Sequence, residues 1–368
     1  MVNRTDVVVA GGGPAGLAAA IAARRKGLDV AVFEGVASES AIDKCCGEGL
    51  MPDAIEALRQ LGIVLPQSAG TPIGGIRFLD ADTVAEGRFR QQTGVGVRRT
   101  ALHSLLDEHA RQAGVTVHRG APVRGLAPGG VRVGDELVRC GWIVGADGSQ
   151  SAMRRAGGLE QGGKHSRRFG SRRHFRIEPW SDLVEVYWAD GAQAYVTPVA
   201  QDEIGVAVIA SDPLLRFEDL LALFPALAAR LAGAVATSRV RGAVTASRRL
   251  ARVTRANLAL IGDASGSVDA LTGLGLSLAF QQAVALGEAL EQGDLAVYSA
   301  AHQRIARVPR VMEALVLAMD RRAWFRRRAI RALAVEPEQF ARLLAAHAGG
   351  MAPALRVPLA LGWKFLTA

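Results

Sequence analysis

The chain has few aromatic residues and little cysteine: 5% of its 368 residues are Phe, Trp or Tyr, and its cysteines are Cys45, Cys46 and Cys140. Three thiols at irregular spacing supply neither a disulfide framework nor a zinc site, so reduced cysteines and no bound metal are expected. No stretch of 18 uncharged apolar residues occurs, and no basic n-region leads into an apolar h-region at the start. Both absences argue against a membrane span and a secretory leader, and a cytoplasmic location is expected. The net charge of +9 is not interleaved with stacking rings, which argues against a nucleic-acid partner. The positive excess gathers late, in Arg304, Arg307, Arg310, Arg321, Arg322, Arg326, Arg327, Arg328 and Arg331, on a segment of helical and otherwise apolar pattern. That pattern reads as a solvated helix face; peripheral contact with anionic lipid or with an acidic carrier protein is the alternative.

The chain is rich in glycine, and its glycines are ordered. Residues 6–10 form an apolar run suited to a buried parallel strand, and Gly11, Gly13 and Gly16 follow at G-x-G-x-x-G spacing. Gly11 permits the tight turn, Gly13 lets a pyrophosphate approach the backbone, and Gly16 lets the next helix sit close on the strand. Pro14 and Ala15 open that helix, expected over 15–26, whose N-terminal amides point at the phosphates. A second strand over 29–33 delivers Glu34, placed to accept hydrogen bonds from a ribose 2′-OH. An acid there disfavours a 2′-phosphate and selects FAD or NAD as the bound dinucleotide.

Beyond Glu34 the sequence predicts an irregular functional loop over 35–49 and a helix over 51–61. Strands over 73–89, a helix running to 112 and strands at 115–118, 131–138 and 142–145 follow. Between about 168 and 253 the pattern turns to period two, with strands at 173–177, 183–188, 194–198 and 204–209 and one helical insertion at 217–232. A buried strand at 257–261, a turn at 262–265 and a long helix over 273–290 follow, and the remainder is helical. The expected fold is α/β (α+β overall). A discontinuous dinucleotide domain (1–72, 95–165 and 254–298) carries an inserted, mostly antiparallel β substrate domain (73–94 and 166–253), and 299–368 form a C-terminal helical region.

Three motifs stand in order: the glycines at 11–16, Gly145-Ala146-Asp147-Gly148-Ser149, and Leu260-Ile261-Gly262-Asp263-Ala264. Together they resemble the superfamily of FAD-dependent monooxygenases and geranylgeranyl reductases, with the para-hydroxybenzoate hydroxylase fold. The resemblance implies bound FAD, NADH or NADPH as a transient donor, and cofactor contacts at Asp147, Asp263 and Arg99, the last in an Arg-x-x-Leu pattern with Leu102. Gly273, Leu274 and Gly275 precede a helix whose amides suit the pyrimidine edge of a flavin. Aromatic hydroxylases of this fold carry a histidine and a proline where this chain has Gly266 and Ala270. The stretch 44–49, from Lys44 through Cys45, Cys46 and Glu48 to Gly49, is similar to the Cys-Gly segment of the reductases.

The resemblance therefore implies either an NAD(P)H-using monooxygenase, hydroxylating an apolar aromatic, polyketide or lipid-like substrate through a C4a-hydroperoxyflavin, or a reductase of isoprenoid double bonds. A flavin-binding partner without turnover is the third reading. The reductase needs a proton donor, for which Cys46 and Glu48 are the candidates, although a small buried hydrophobe and a loop carboxylate are their ordinary uses. Lys44 is a candidate cofactor ligand. Tyr187, Trp188 and Tyr195 are candidate substrate-lining residues, with strand core as the alternative, and His165 and His174, among arginines, read as solvated.

Overall fold

The structure, a computed structural model, describes residues 4–90, 92–164 and 166–347; His165 and the last 21 positions of the expected C-terminal region lie outside them. Strand Arg4–Ala10 lies between Val30–Phe33 and Glu136–Gly145, parallel to both. Leu258–Leu260 extends this sheet beyond Glu136–Gly145, and Thr116–His118 extends it beyond Val30–Phe33, again in parallel. Such strands are covered on both faces, which is why Val7, Val8 and Val9 are wholly buried. Helix Pro14–Arg25 packs on this sheet, and Gly275–Gln292 packs on that helix. Gly287 permits the approach, since a Cβ there would lie 3.0 Å from that of Ala22.

The second sheet runs Val235–Ala236, Arg168–Arg176, Glu203–Ala210, Ala192–Ala200, Leu183–Ala189, Gly75–Asp80, Thr83–Arg88. It is antiparallel except where Leu183–Ala189 meets Gly75–Asp80 in parallel. One face buries Phe175, Tyr187, Val206 and Val208 with Phe217, Leu220 and Leu227 of two short helices. Against Ile73, Ala85, Val184 and Val186 pack helices Arg307–Arg321, Ala323–Val335 and Pro337–His347. The architecture is the expected α/β one.

Several elements differ from expectation for local reasons. The insertion at 217–232 is two helices, Phe217–Ala222 and Pro225–Arg230, because Pro225 has no N–H to continue the first. The run expected at 131–138 is a hairpin of Gly130–Val133 and Glu136–Gly145, turning at Gly134 with φ +59°. The arginine-rich segment is not uniformly solvated: Arg326 is buried, donating to Asp80 at 3.2 Å and Asp190 at 2.8 Å. Arg304, Arg307, Arg321, Arg322, Arg327 and Arg331 are exposed.

Candidate active site

A cavity of about 840 Å³ begins at the glycine turn and ends among the C-terminal helices. At its first end the backbone does most of the shaping. Gly11 sits at φ +108°, where a Cβ would strike the Ala146 carbonyl, and a Cβ on Gly16 would fall on the Gly11 carbonyl. These two glycines close the packing of helix on strand. Gly13 differs, because a Cβ there meets nothing within 4 Å and would project into open space. Glu34 accepts from the Gly12 N–H at 2.7 Å and from the Val36 N–H at 2.8 Å, which fixes its carboxylate at the cavity wall.

Arg99 opens helix Arg99–Gln112 and is buried at the cavity wall. Its Nε has no partner, and no hydrogen bond or ion pair occupies its guanidinium among the described residues. A buried arginine without an anion is costly, and an anionic ligand in the cavity would satisfy it. Lys44 and Asp263 meet across the groove at 3.0 Å. Gly273, at φ +68°, and Gly275 line the cavity, and a Cβ on either would meet nothing within 4 Å. Leu274 between them is buried and off the wall, so the expectation of a cofactor contact there reduces to its backbone. Asp147 lines the cavity, yet its carboxylate accepts from Ser151 Oγ at 2.5 Å and from the Ala152 and Met153 N–H groups at 2.6 and 3.0 Å. The residue stays at the cavity wall while its carboxylate is engaged by the first N–H groups of helix Ala152–Ala156, whose N-cap is Ser151.

The substrate candidates separate by strand parity. Tyr195 lines the cavity and donates to the Leu271 carbonyl at 2.9 Å, and burial pushes its hydroxyl well above the usual phenol range. Tyr187 points to the opposite face of the sheet, with Phe175 and Phe217, and donates to Glu185 at 2.6 Å. Trp188 shares the cavity side but stands behind the wall, edge-on to Phe78 with ring centroids 6.0 Å apart. Neither is a lining residue; side-chain period two sends odd and even positions of Leu183–Ala189 to different cores.

The loop over 35–49 brings Lys44, Cys45, Cys46 and Glu48 to the cavity wall. Burial pushes the Cys45 thiol up to about 12, so it stays protonated. Cys46 Sγ accepts from the Glu48 N–H at 3.3 Å. Glu48 has φ +60°, a conformation that costs a non-glycine residue on the order of 1 kcal/mol and is kept where its surroundings demand it. Its Oε1 accepts from the Arg99 N–H at 2.8 Å and from Arg172, and its Oε2 pairs with His174 Nε2 at 2.6 Å. His174 is therefore fully buried, not solvated: Gly170, Arg172 and His174 alternate toward Glu48 and the cavity, whereas Arg173 turns outward to Glu218. Arg172 also holds Asp43 at 2.7 Å. Sequence reading missed Arg172 and His174, whose signal was their period-two placement in a strand beside a glycine.

Open glycines at 13, 47, 148, 273 and 275, an unpartnered buried arginine and a fixed acid along one cavity fit an extended dinucleotide carrying a ring system. The fold and this groove define a flavoprotein. Residues 4–303 match the family described as FAD binding domain, and the chain belongs to it. It is an FAD-dependent oxidoreductase. The chain is 27% identical to menaquinone reductase of Mycolicibacterium smegmatis over 82% of its length and 80% of the relative's. Among solved structures, a triple mutant of the flavin-dependent brominase Bmp2 superposes with TM-score 0.81 at 19% identity, covering 98% of this chain and 99% of that one. A geranylgeranyl bacteriochlorophyll reductase-like protein of Thermoplasma acidophilum superposes with TM-score 0.77 at 19% identity, covering 98% of this chain and all of the other.

Proposed function

We propose that the enzyme is an NAD(P)H-dependent monooxygenase acting on an apolar substrate with a long chain. The observation that carries this reading is the composition of the far wall. Ile76, Phe78, Val186, Met312, Leu333 and Phe340 line it, and the charged side chains Lys44, Glu48, Arg99 and Asp263 stand toward the glycine end. Oxygen transfer needs such a wall, since excluding water protects the reactive species, and places few demands on acids at the substrate carbon. FAD supplies the redox chemistry when bound; the protein binds and orients it and keeps water out. Glu34 would hold the adenosine ribose, Gly11, Gly13, Pro14 and Ala15 the pyrophosphate, Arg99, Lys44 and Asp263 the phosphate and ribityl region, and the Gly273 and Gly275 amides the ring.

A second reading, reduction of an isoprenoid double bond, is favoured by the likeness to digeranylgeranylglycerophospholipid reductase 1 of Methanococcoides burtonii, 26% identical over 78% of this chain and 74% of the relative. In that case Cys46 or Glu48 would supply the proton. The test is to incubate the yellow protein with NADH or NADPH and either a long-chain alkylphenol or a menaquinone, with and without ¹⁸O₂. Oxygen-dependent gain of one ¹⁸O supports the first reading. Anaerobic gain of two hydrogens that persists after the quinone ring is reoxidised in air would overturn it in favour of the second.

No helix among the described residues is long and apolar enough to cross a membrane. Exposed Arg321, Arg322, Arg327 and Arg331 around exposed Trp324 support peripheral contact with an anionic lipid surface, where such a substrate would reside. Sedimentation with phosphatidylglycerol vesicles, and not with phosphatidylcholine vesicles, is the expected result; equal sedimentation with both, or with neither, would refute the contact.

A further inference from the structure

The floor of the apolar chamber can be followed strand by strand. Ala207, Tyr195, Val186 and Phe78 stand directly opposite one another on Glu203–Ala210, Ala192–Ala200, Leu183–Ala189 and Gly75–Asp80, and all four line the cavity. Val184 and Ile76 form a second such pair beside them. On the next strand, Thr83–Arg88, Ala85 stands opposite Phe78 and Gly87 opposite Ile76, and neither lines the cavity. Phe340 of helix Pro337–His347 closes the chamber there. Its ring lies against the strand where Gly87 has no side chain, since a Cβ on Gly87 would fall 2.7 Å from Phe340 Cγ. Its centroid is 5.0 Å from that of Phe78, which is in turn edge-on to Trp188. Phe340 is 2% exposed and Leu344 beside it 4%, so the chamber does not open to solvent at this end. The roof is of a different make: Met312, Leu315, Val316 and Met319 form one stripe of helix Arg307–Arg321. Unbranched methionines yield to what lies under them, whereas packed rings do not.

We propose that Phe340, backed by Phe78 and Gly87, is the stop that sets how much of a substrate chain the chamber holds. The inference rests on the apolar-substrate reading given above and deepens it. Tyr195 donates to the Leu271 carbonyl and so stands beside the turn that ends at Gly273, where the reacting head belongs. From Tyr195 the chain crosses two strand spacings to reach Phe78, about 10 Å. At roughly 1.2 Å per bond of an extended chain, that is about eight bonds. Val186, Val184, Ile76 and Phe78 offer no hydrogen bond, so this stretch selects by length and not by polarity. Carbons up to the stop leave water; carbons beyond it gain nothing.

The test uses FAD-loaded protein and 4-n-alkylphenols from propyl to dodecyl, kept below the concentrations at which they aggregate, with dissociation constants from titration calorimetry. In the wild type, affinity should rise about fourfold with each added methylene and stop rising at about eight carbons. Phe340→Ala should move that break outward by about two carbons or more, because the apolar cavity left by a removed side chain takes up apolar ligand. Phe340→Leu should move it outward by less, and keeps the test decisive if Phe340→Ala does not fold. Val186→Phe puts new bulk into the chamber one strand short of Phe78 and should move the break inward by about four carbons. Flavin absorbance confirms that each variant is loaded, and a general loss of packing would not move the break in opposite directions. A wild-type series that rises without a break through dodecyl would overturn the stop, as would a break at one length in the wild type and the position-340 variants. A wild type that binds no alkylphenol of any length would overturn the apolar-substrate reading itself, and the stop with it.

Discussion

The two ends of the cavity are built by opposite means. At the nucleotide end the critical positions are glycines and main-chain amides, and the side chains that matter, Glu34 and Arg99, each come from a single loop or helix start. At the substrate end there is little glycine. The wall is assembled from several strands, among them Gly75–Asp80, Leu183–Ala189 and Ala192–Ala200, and three helices, all distant from one another in sequence. The contrast follows from the proposed ligands. A dinucleotide is polar and extended and wants donors at fixed spacing, whereas an apolar chain wants volume and dryness, which many side-chain combinations can supply.

The largest effects should come from breaking the nucleotide end. Gly16→Val forces atoms onto the Gly11 carbonyl and should leave little folded protein, whereas Gly13→Val should fold and lose FAD. Circular dichroism and flavin absorbance separate the two outcomes; a yellow Gly13→Val protein would show that the pyrophosphate does not pass there. Next comes the C-terminal wall. Arg326→Ala strands buried Asp80 and should cost about 3 to 5 kcal/mol, against less than about 0.5 kcal/mol for exposed Arg327→Ala, by urea unfolding. Equal costs would contradict the division of those arginines into buried and solvated sets.

Arg99→Ala should lower FAD affinity about tenfold to a hundredfold with stability little changed, because the lost hydrogen bonds to a charged group are made to ligand and not to protein. Titration of unloaded protein by flavin fluorescence quenching checks it, and unchanged affinity would remove Arg99 from the site.

The smallest effects concern pH. His302 is buried with Nε2 3.0 Å from Ser265 Oγ, and burial pushes its imidazole down to about 4. The unfolded chain takes up that proton from about pH 6.5, so the stability owed to neutral His302 is complete above pH 6.5 and is lost as pH falls toward 4, by up to about 3 kcal/mol. Asp53 acts in the opposite sense. Burial pushes its carboxyl up to about 6, so between pH 6 and 4 the folded state binds a proton that the unfolded state does not. Acid unfolding over this window should therefore be weaker in His302→Gln and stronger in Asp53→Asn. Identical pH profiles for the wild type and both variants would contradict both assignments.

The same contrast explains what could be read from the sequence. The crossover from Arg4–Ala10 to Glu34 was legible because each step is local: an apolar strand, glycines at fixed spacing, a helix start and an acid. Tyr187 and Trp188 were misread because an aromatic in a strand announces burial but not which face buries it. His174 was misread for a related reason. The adjacent Arg173 turns outward to Glu218, and the true neighbours of His174, Glu48 and Ser238, are 126 and 64 positions distant. Asp147 sat in a recognisable turn, but whether its carboxylate faces a ligand or a helix end depends on the Ala152–Ala156 helix that follows.

The account turns on one direction of travel, from the glycine crossover to the apolar chamber. A crystal structure of the FAD-loaded protein tests it most directly. The account predicts the adenosine ribose against Glu34, a phosphate against Arg99, and the ring lying over Gly273 and Gly275 with its free face toward Tyr195 and the C-terminal helices. FAD bound with its ring away from Gly273, or with Arg99 still unpartnered, would contradict it.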